Sequence, residues 1–139
     1  MRNHQMFDIC ATFILGRAYE NFPVPAEVDM SALYKEIYDR FNDFSHDDGW
    51  KALGVIMSSI EWLRSYEYLT YQQADNNIAR DVQLTEKGLR ALRSVPRSID
   101  FDRETVGSVL VSAGKEGTKE AVLRGIGLLF GSIAAGLSQ

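Results

Sequence analysis

Cysteine is nearly absent. The chain has one, Cys10, so it forms no intrachain disulfide and nothing in its composition calls for an oxidising compartment. There are two histidines, His4 and His46; His46 with Asp47 and Asp48 lacks a second nitrogen or sulfur donor for a metal, and no zinc ligand spacing is present. No run approaches the ~20 uncharged apolar residues of a membrane-spanning helix. The N-terminal segment also lacks the pattern of a signal peptide, because Asp8 interrupts the approach to the apolar run and no small-residue cleavage site follows. A cytoplasmic protein is expected. Basic residues are outnumbered by acids, 15 against 19, for a net charge of −4. That balance weighs against a nucleic-acid partner, whose binders usually carry a basic footprint.

What remains is ordinary globular material. Apolar residues make up 45% of the 139 residues, enough to bury a core. In the first segment Phe7, Cys10, Ile14 and Ala18 recur at helical spacing, with Ile9 and Phe13 widening the stripe. Prolines 23 and 25 force an extended connector, with a short edge strand near Glu27–Asp29. Asp29 or Ser31 caps a second helix whose face is Met30, Leu33, Tyr34, Ile37, Tyr38 and Phe41. A third helix starts near Asp48–Trp50. Its apolar face is Leu53, Ile56, Met57, Ile60 and Leu63, anchored by Trp50 and Trp62. Residues 66–73 and 80–85 alternate as two strands around the turn-rich ADNN, and Thr85 caps a short helix carrying Leu89 and Leu92. SVPRSIDFD reads as a linker. Beyond it lie seven of the eleven glycines. Leu123, Ile126, Phe130, Ile133 and Leu137 step by three and four there, as a narrow seam. No residue from Gly125 to Leu137 is charged.

Helix, short strand, helix, helix, hairpin, helix is an order that resembles the winged helix-turn-helix superfamily. The resemblance is carried by SSIEWLRSYEYLTYQ, like a third helix entering a wing, and by LTEKGLRAL, like the second wing strand and its following helix. It implies a mainly α fold with a small β-hairpin: a winged-helix domain over 1–95, a linker over 96–106 and a C-terminal amphipathic Gly-rich helix over 107–139. In DNA-binding members the third helix lies in the major groove, which would put Lys51, Ser58, Ser59, Glu61 and Ser65 against bases and 74–79 at the wing tip. The charges depart from that pattern. Asp43, Asp47, Asp48, Glu61 and Glu67 face only Lys51 and Arg64, and the wing adds Asp75 and Asp81 against Arg80. Duplex affinity depends on neutralising phosphates. Arg90, Arg93, Arg97 and Arg103 after the wing are the alternative basic surface.

The chain is similar in size and acidity to small bacterial winged-helix immunity proteins and antitoxins. That similarity implies a non-enzymatic interaction module binding a basic protein partner. The contact residues would be Asp47, Asp48, Lys51, Glu61, Tyr66, Tyr68, Tyr71 and Asp75. DNA binding is the first alternative and membrane association through the C-terminal helix the second. Self-association would use Leu123, Ile126, Gly127, Phe130, Gly131 and Ile133, where Gly127 and Gly131 form a GxxxG. Each candidate also has a plainer structural role. Asp47 and Asp48 suit a helix N-terminus, and the tyrosines suit strand and core packing. Ser45, His46 and Asp47 are adjacent in sequence, which does not make the spatial geometry of a triad. Cys10, on an apolar face, reads as a structural cysteine. No catalytic residue, metal site or cofactor is expected.

Overall fold

The computed structural model describes residues 3–41, 49–95 and 105–137, with side chains described for all of these except 49–51, 73–75 and 131–137. In order they form α1 (Asn3–Asn21), β1 (Ala26–Asp29), α2 (Met30–Arg40), α3 (Gly49–Ser65), β2 (Leu69–Asp75), β3 (Ile78–Leu84), α4 (Glu86–Arg93), α5 (Val106–Glu116) and α6 (Lys119–Leu137). The described fold is mainly helical, with one three-stranded antiparallel sheet ordered β1-β3-β2.

The first helix is the axis of the molecule, and here the sequence expectation changes. A stripe of Phe7, Cys10, Ile14 and Ala18 predicts a helix with one wet face. Instead every residue from Ile9 to Gly16 is buried. ICATFILG carries no charge, so nothing in it resists burial on all sides. α3 and the sheet cover part of α1, and α5 and α6 cover the rest. One apolar cluster accordingly runs from Met6 through Leu92 to Val106, Leu110, Val122 and Leu129.

Several local stops were written in the sequence. The Asp29 carboxylate accepts from the Ser31 and Ala32 amides and starts α2. α3 ends in a Schellman motif. The Tyr68 amide donates to the Leu63 carbonyl at 2.9 Å, and the Glu67 amide to that of Arg64 at 3.0 Å. Glu67 therefore sits at φ +66°, and β2 begins at Leu69, three residues later than strand alternation suggests. The hairpin turns on Asn76 and Asn77, both with positive φ, as a two-residue turn of type I′ requires. Asp81, at φ +54°, falls where the register of β3 slips against both neighbours and acts as its bulge.

The C-terminal segment is two helices rather than one. Gly117, at φ +69°, ends α5, and the Thr118 hydroxyl accepts from the Ala121 amide to begin α6. The buried face of α6 is Val122, Gly125, Ile126 and Leu129, rotated from the seam expected at Leu123, Ile126, Phe130 and Ile133. Gly107 allows the close contact with α1, since a Cβ there would meet the Tyr19 ring at 2.5 Å. No helix among the described residues is long and apolar enough to cross a membrane.

Candidate functional site

α3 buries Ala52, Ile56, Ser59, Ile60 and Leu63. Its other side leaves Met57, Ser58, Glu61 and Ser65 exposed. Met57 was expected in the core, but it is 41% exposed. Ser59 was expected to face outward. It is buried and donates to the Val55 carbonyl at 2.6 Å.

Where α3 meets β2, three side chains interlock. The Tyr71 hydroxyl donates to Glu61 Oε2 at 2.8 Å, and the Arg64 guanidinium donates to the same oxygen at 2.6 Å. Arg64 also lies over the Tyr71 ring, 4.4 Å from its centroid. The Tyr71 hydrogen bond, with help from Arg64, holds the Glu61 carboxyl below its ordinary value. Burial, then the bond to Glu61, pushes the Tyr71 phenol up to about 12. Glu61 and Arg64 thus cancel each other, and the described outer face of α3 has no excess of either sign.

Beside this network is an aromatic cluster centred on Trp62. Tyr66 stacks on it at 4.3 Å and Tyr68 lies near-parallel at 6.0 Å. Phe7 of α1 and Phe130 of α6 meet it edge-on, at 5.2 and 6.4 Å. A groove of about 730 Å³ runs between α3 and β2, bordered by Met30, Met57, Glu61, Trp62, Tyr66 and Tyr71. A second, of about 700 Å³, lies on the α1 side between Phe7, Gly54, Val55, Ser58 and Trp62. Trp62 is a wall of both.

The residues singled out from sequence divide accordingly. Glu61 and Tyr66 are exposed and Tyr71 is half-buried, and all three border the first groove. Tyr68 is not a surface residue. It is 5% exposed, because the helix stop at Glu67 turns it inward beneath Lys87, whose ammonium lies 4.5 Å from its ring centroid. Asp47 and Asp48 lie outside the described residues, as do the side chains of Lys51 and Asp75. Ser45 and His46 are outside them too.

Among the self-association candidates, Ile126 is buried, Phe130 is half-buried against Trp62, and Leu123 is 39% exposed. Among the described residues, none outside its own stretch of helix comes within 4 Å of where a Cβ on Gly127 would be. The surroundings of Gly131 and the Ile133 side chain lie outside the description. Of the alternative basic surface, Arg90 pairs with Glu86 at 2.6 Å and Arg93 lies over Phe22. Arg97 and Arg103 are outside the described residues.

Cys10 is buried, and burial pushes its thiol up to about 12. Among the described residues no group of three or more His, Cys, Asp or Glu is placed to hold a metal ion. A smaller cavity of about 190 Å³ between α1, α2 and α5 contains Arg17, Glu36, Arg40, Glu20 and Lys115. Its ions are internally matched: Arg17 and Arg40 on Glu36, Lys115 on Glu20, with Arg40 also donating to the Gly114 carbonyl at the end of α5.

Sequence reasoning named Trp62 as an anchor but missed its role as a hub. The hub needs Phe130, 68 positions away, a pairing that local periodicity does not carry. The Glu61–Arg64 pair was legible as an i, i+3 match; its closure by Tyr71 was not. No family model, curated protein or solved structure matches the chain.

Proposed function

We propose that the chain is a non-enzymatic winged-helix interaction module that recognises a protein partner through the outer face of α3 and the root of its hairpin. The observation that carries this is the groove between α3 and β2. Its border of exposed Met57 and Tyr66 and half-buried Trp62 and Tyr71 offers apolar and aromatic surface around a charge pair that is already satisfied. Aromatic side chains and methionine are enriched where proteins bind proteins, and a neutralised pair there demands no counter-charge from the partner. The winged-helix assignment rests on the element order and on the sheet order β1-β3-β2, with the hairpin following α3. The net charge of −4 favours a basic partner, steered by long-range attraction that salt screens. The resulting partner class resembles that of an immunity protein or antitoxin.

A second reading, a DNA-binding regulator, is favoured by the same element order. It is opposed by the lack of unpaired basic side chains on the described outer face of α3. Two experiments separate them. Affinity capture is run with the wild type and with a Met57→Glu, Tyr66→Ala variant whose unfolding midpoint matches it. A stoichiometric protein held by the first and lost by the second supports the module. Capture by both variants alike removes the site, and capture by neither removes the protein-binding reading. Fluorescence anisotropy against a duplex of ~30 base pairs at low salt tests DNA. Binding that collapses as salt rises would put the regulator first.

A further inference from the structure

The C-terminal helix α6 reaches the proposed recognition surface through the edge-on contact of Phe130 with Trp62. Trp62, like Ser58, lines both grooves. It is also the ring on which the exposed Tyr66 stacks, at 4.3 Å and 25°. Phe7 holds the indole from α1 at 76° and Phe130 holds it from α6 at 80°. Two rings at near right angles to a third fix its plane, because the edge-on geometry sets the edge of one ring on the face or rim of the other. α6 is in turn fixed by Val122, Ile126 and Leu129, which are buried against the rest of the core.

We propose that Phe130 is a positioning residue. α6, far from α3 in sequence, sets the orientation of Trp62, and through it the stacked Tyr66 and the width of both grooves. The surface presented to a partner is then a property of the docked C-terminal helix as well as of the hairpin region. Any contact that shifts α6 changes that surface without touching it. The proposal rests on the preceding section only for the purpose of the surface; the coupling itself is a statement about this chain alone.

The test uses the full chain carrying Trp50→Phe, so that Trp62 is the sole indole. In Phe130→Ala, acrylamide quenching of Trp62 rises by about twofold or more and its emission shifts to the red, as expected when one of its bracing rings is removed. Phe130→Tyr restores both. Amide exchange in β3 and the middle of α1 stays at the parent level, which separates a local reorientation from general loosening. An unchanged Trp62 signal in Phe130→Ala overturns the proposal. So does a Phe130→Tyr variant that behaves like the alanine. Should Phe130→Ala fail to fold, Phe130→Leu is read instead: it keeps apolar bulk but has no ring, and a parent-like Trp62 signal there overturns the proposal equally. A coupled Trp62 in a chain that captures no partner leaves the coupling standing and removes the recognition role. Partner capture by a chain whose Trp62 ignores Phe130 does the reverse.

Discussion

At the scale of single residues, two positions make opposite use of the backbone and of burial. Glu67 is a glutamate in a left-handed conformation, φ +66°, at the helix-ending position where glycine is usual. Its Cβ makes that conformation costly, and its carbonyl is fixed by the Thr85 hydroxyl. Glu67→Gly relieves the strain, at some loss in chain entropy. It should raise stability by about 1 kcal/mol in urea unfolding. Cys10 is the opposite case, a titratable group with no route to water. Its thiol is pushed up to about 12 in the folded chain, with burial as the leading cause. The sign follows directly. An acid whose folded pKa is raised contributes its full stability below the unfolded pKa and loses it as pH rises toward the folded one. Stability should therefore decline from about pH 8.5 upward, and less so in Cys10→Ala. At pH 8, iodoacetamide should label Cys10 only at the rate of opening.

At the scale of elements, the legible parts of the fold were those decided locally. Asp29 and Thr85 cap α2 and α4 because short polar side chains satisfy free amides wherever a helix begins. The Asn76–Asn77 turn shows for the same kind of reason. The stripe named for α1 is buried but is only part of what is buried there, and the face of α6 was misread, because a charge-free stretch offers several apolar stripes at once. Which stripe is buried then depends on neighbours far away in sequence. The break at Gly117–Thr118 was visible as residues and overlooked as punctuation. The site followed the same division. Glu61, Tyr66 and Tyr71, singled out because polar and aromatic residues near a hairpin root are natural suspects, come together at one groove. Tyr68 is buried instead, the core-packing role the sequence also offered, because the Schellman turn moves the start of β2 and with it the inside and the outside. Gly88 shows how closely α4 is set on the hairpin root. A Cβ there would lie 2.0 Å from the Tyr68 carbonyl oxygen, a backbone atom that cannot step aside. Gly88→Ala should cost about 3 kcal/mol in thermal or urea unfolding, at the upper end of overpacking effects. It should also broaden the signals of residues 66–69.

For the whole molecule, the decisive fact is that the core does not divide at the linker. Leu110 of α5 is fully buried beside Gly16 of α1 and Gly125 of α6. Leu110→Ala should cost about 3 kcal/mol. The loss should appear in one transition, with helix signal and Trp fluorescence changing together. Separate transitions would mean that the hairpin region and the C-terminal pair fold as independent units.

The all-round burial of α1 also has a consequence in time. Its charge-free middle leaves the ribosome well before α5 and α6, two of the helices that cover it, have been made. Until then a nascent apolar helix has only part of its cover. Contacts of such long sequence separation slow folding and lengthen the interval in which that surface is open to other chains. The unfinished chain is therefore a natural client for chaperones, and slowing translation across α5 and α6 should increase aggregation during synthesis more than slowing it across the hairpin.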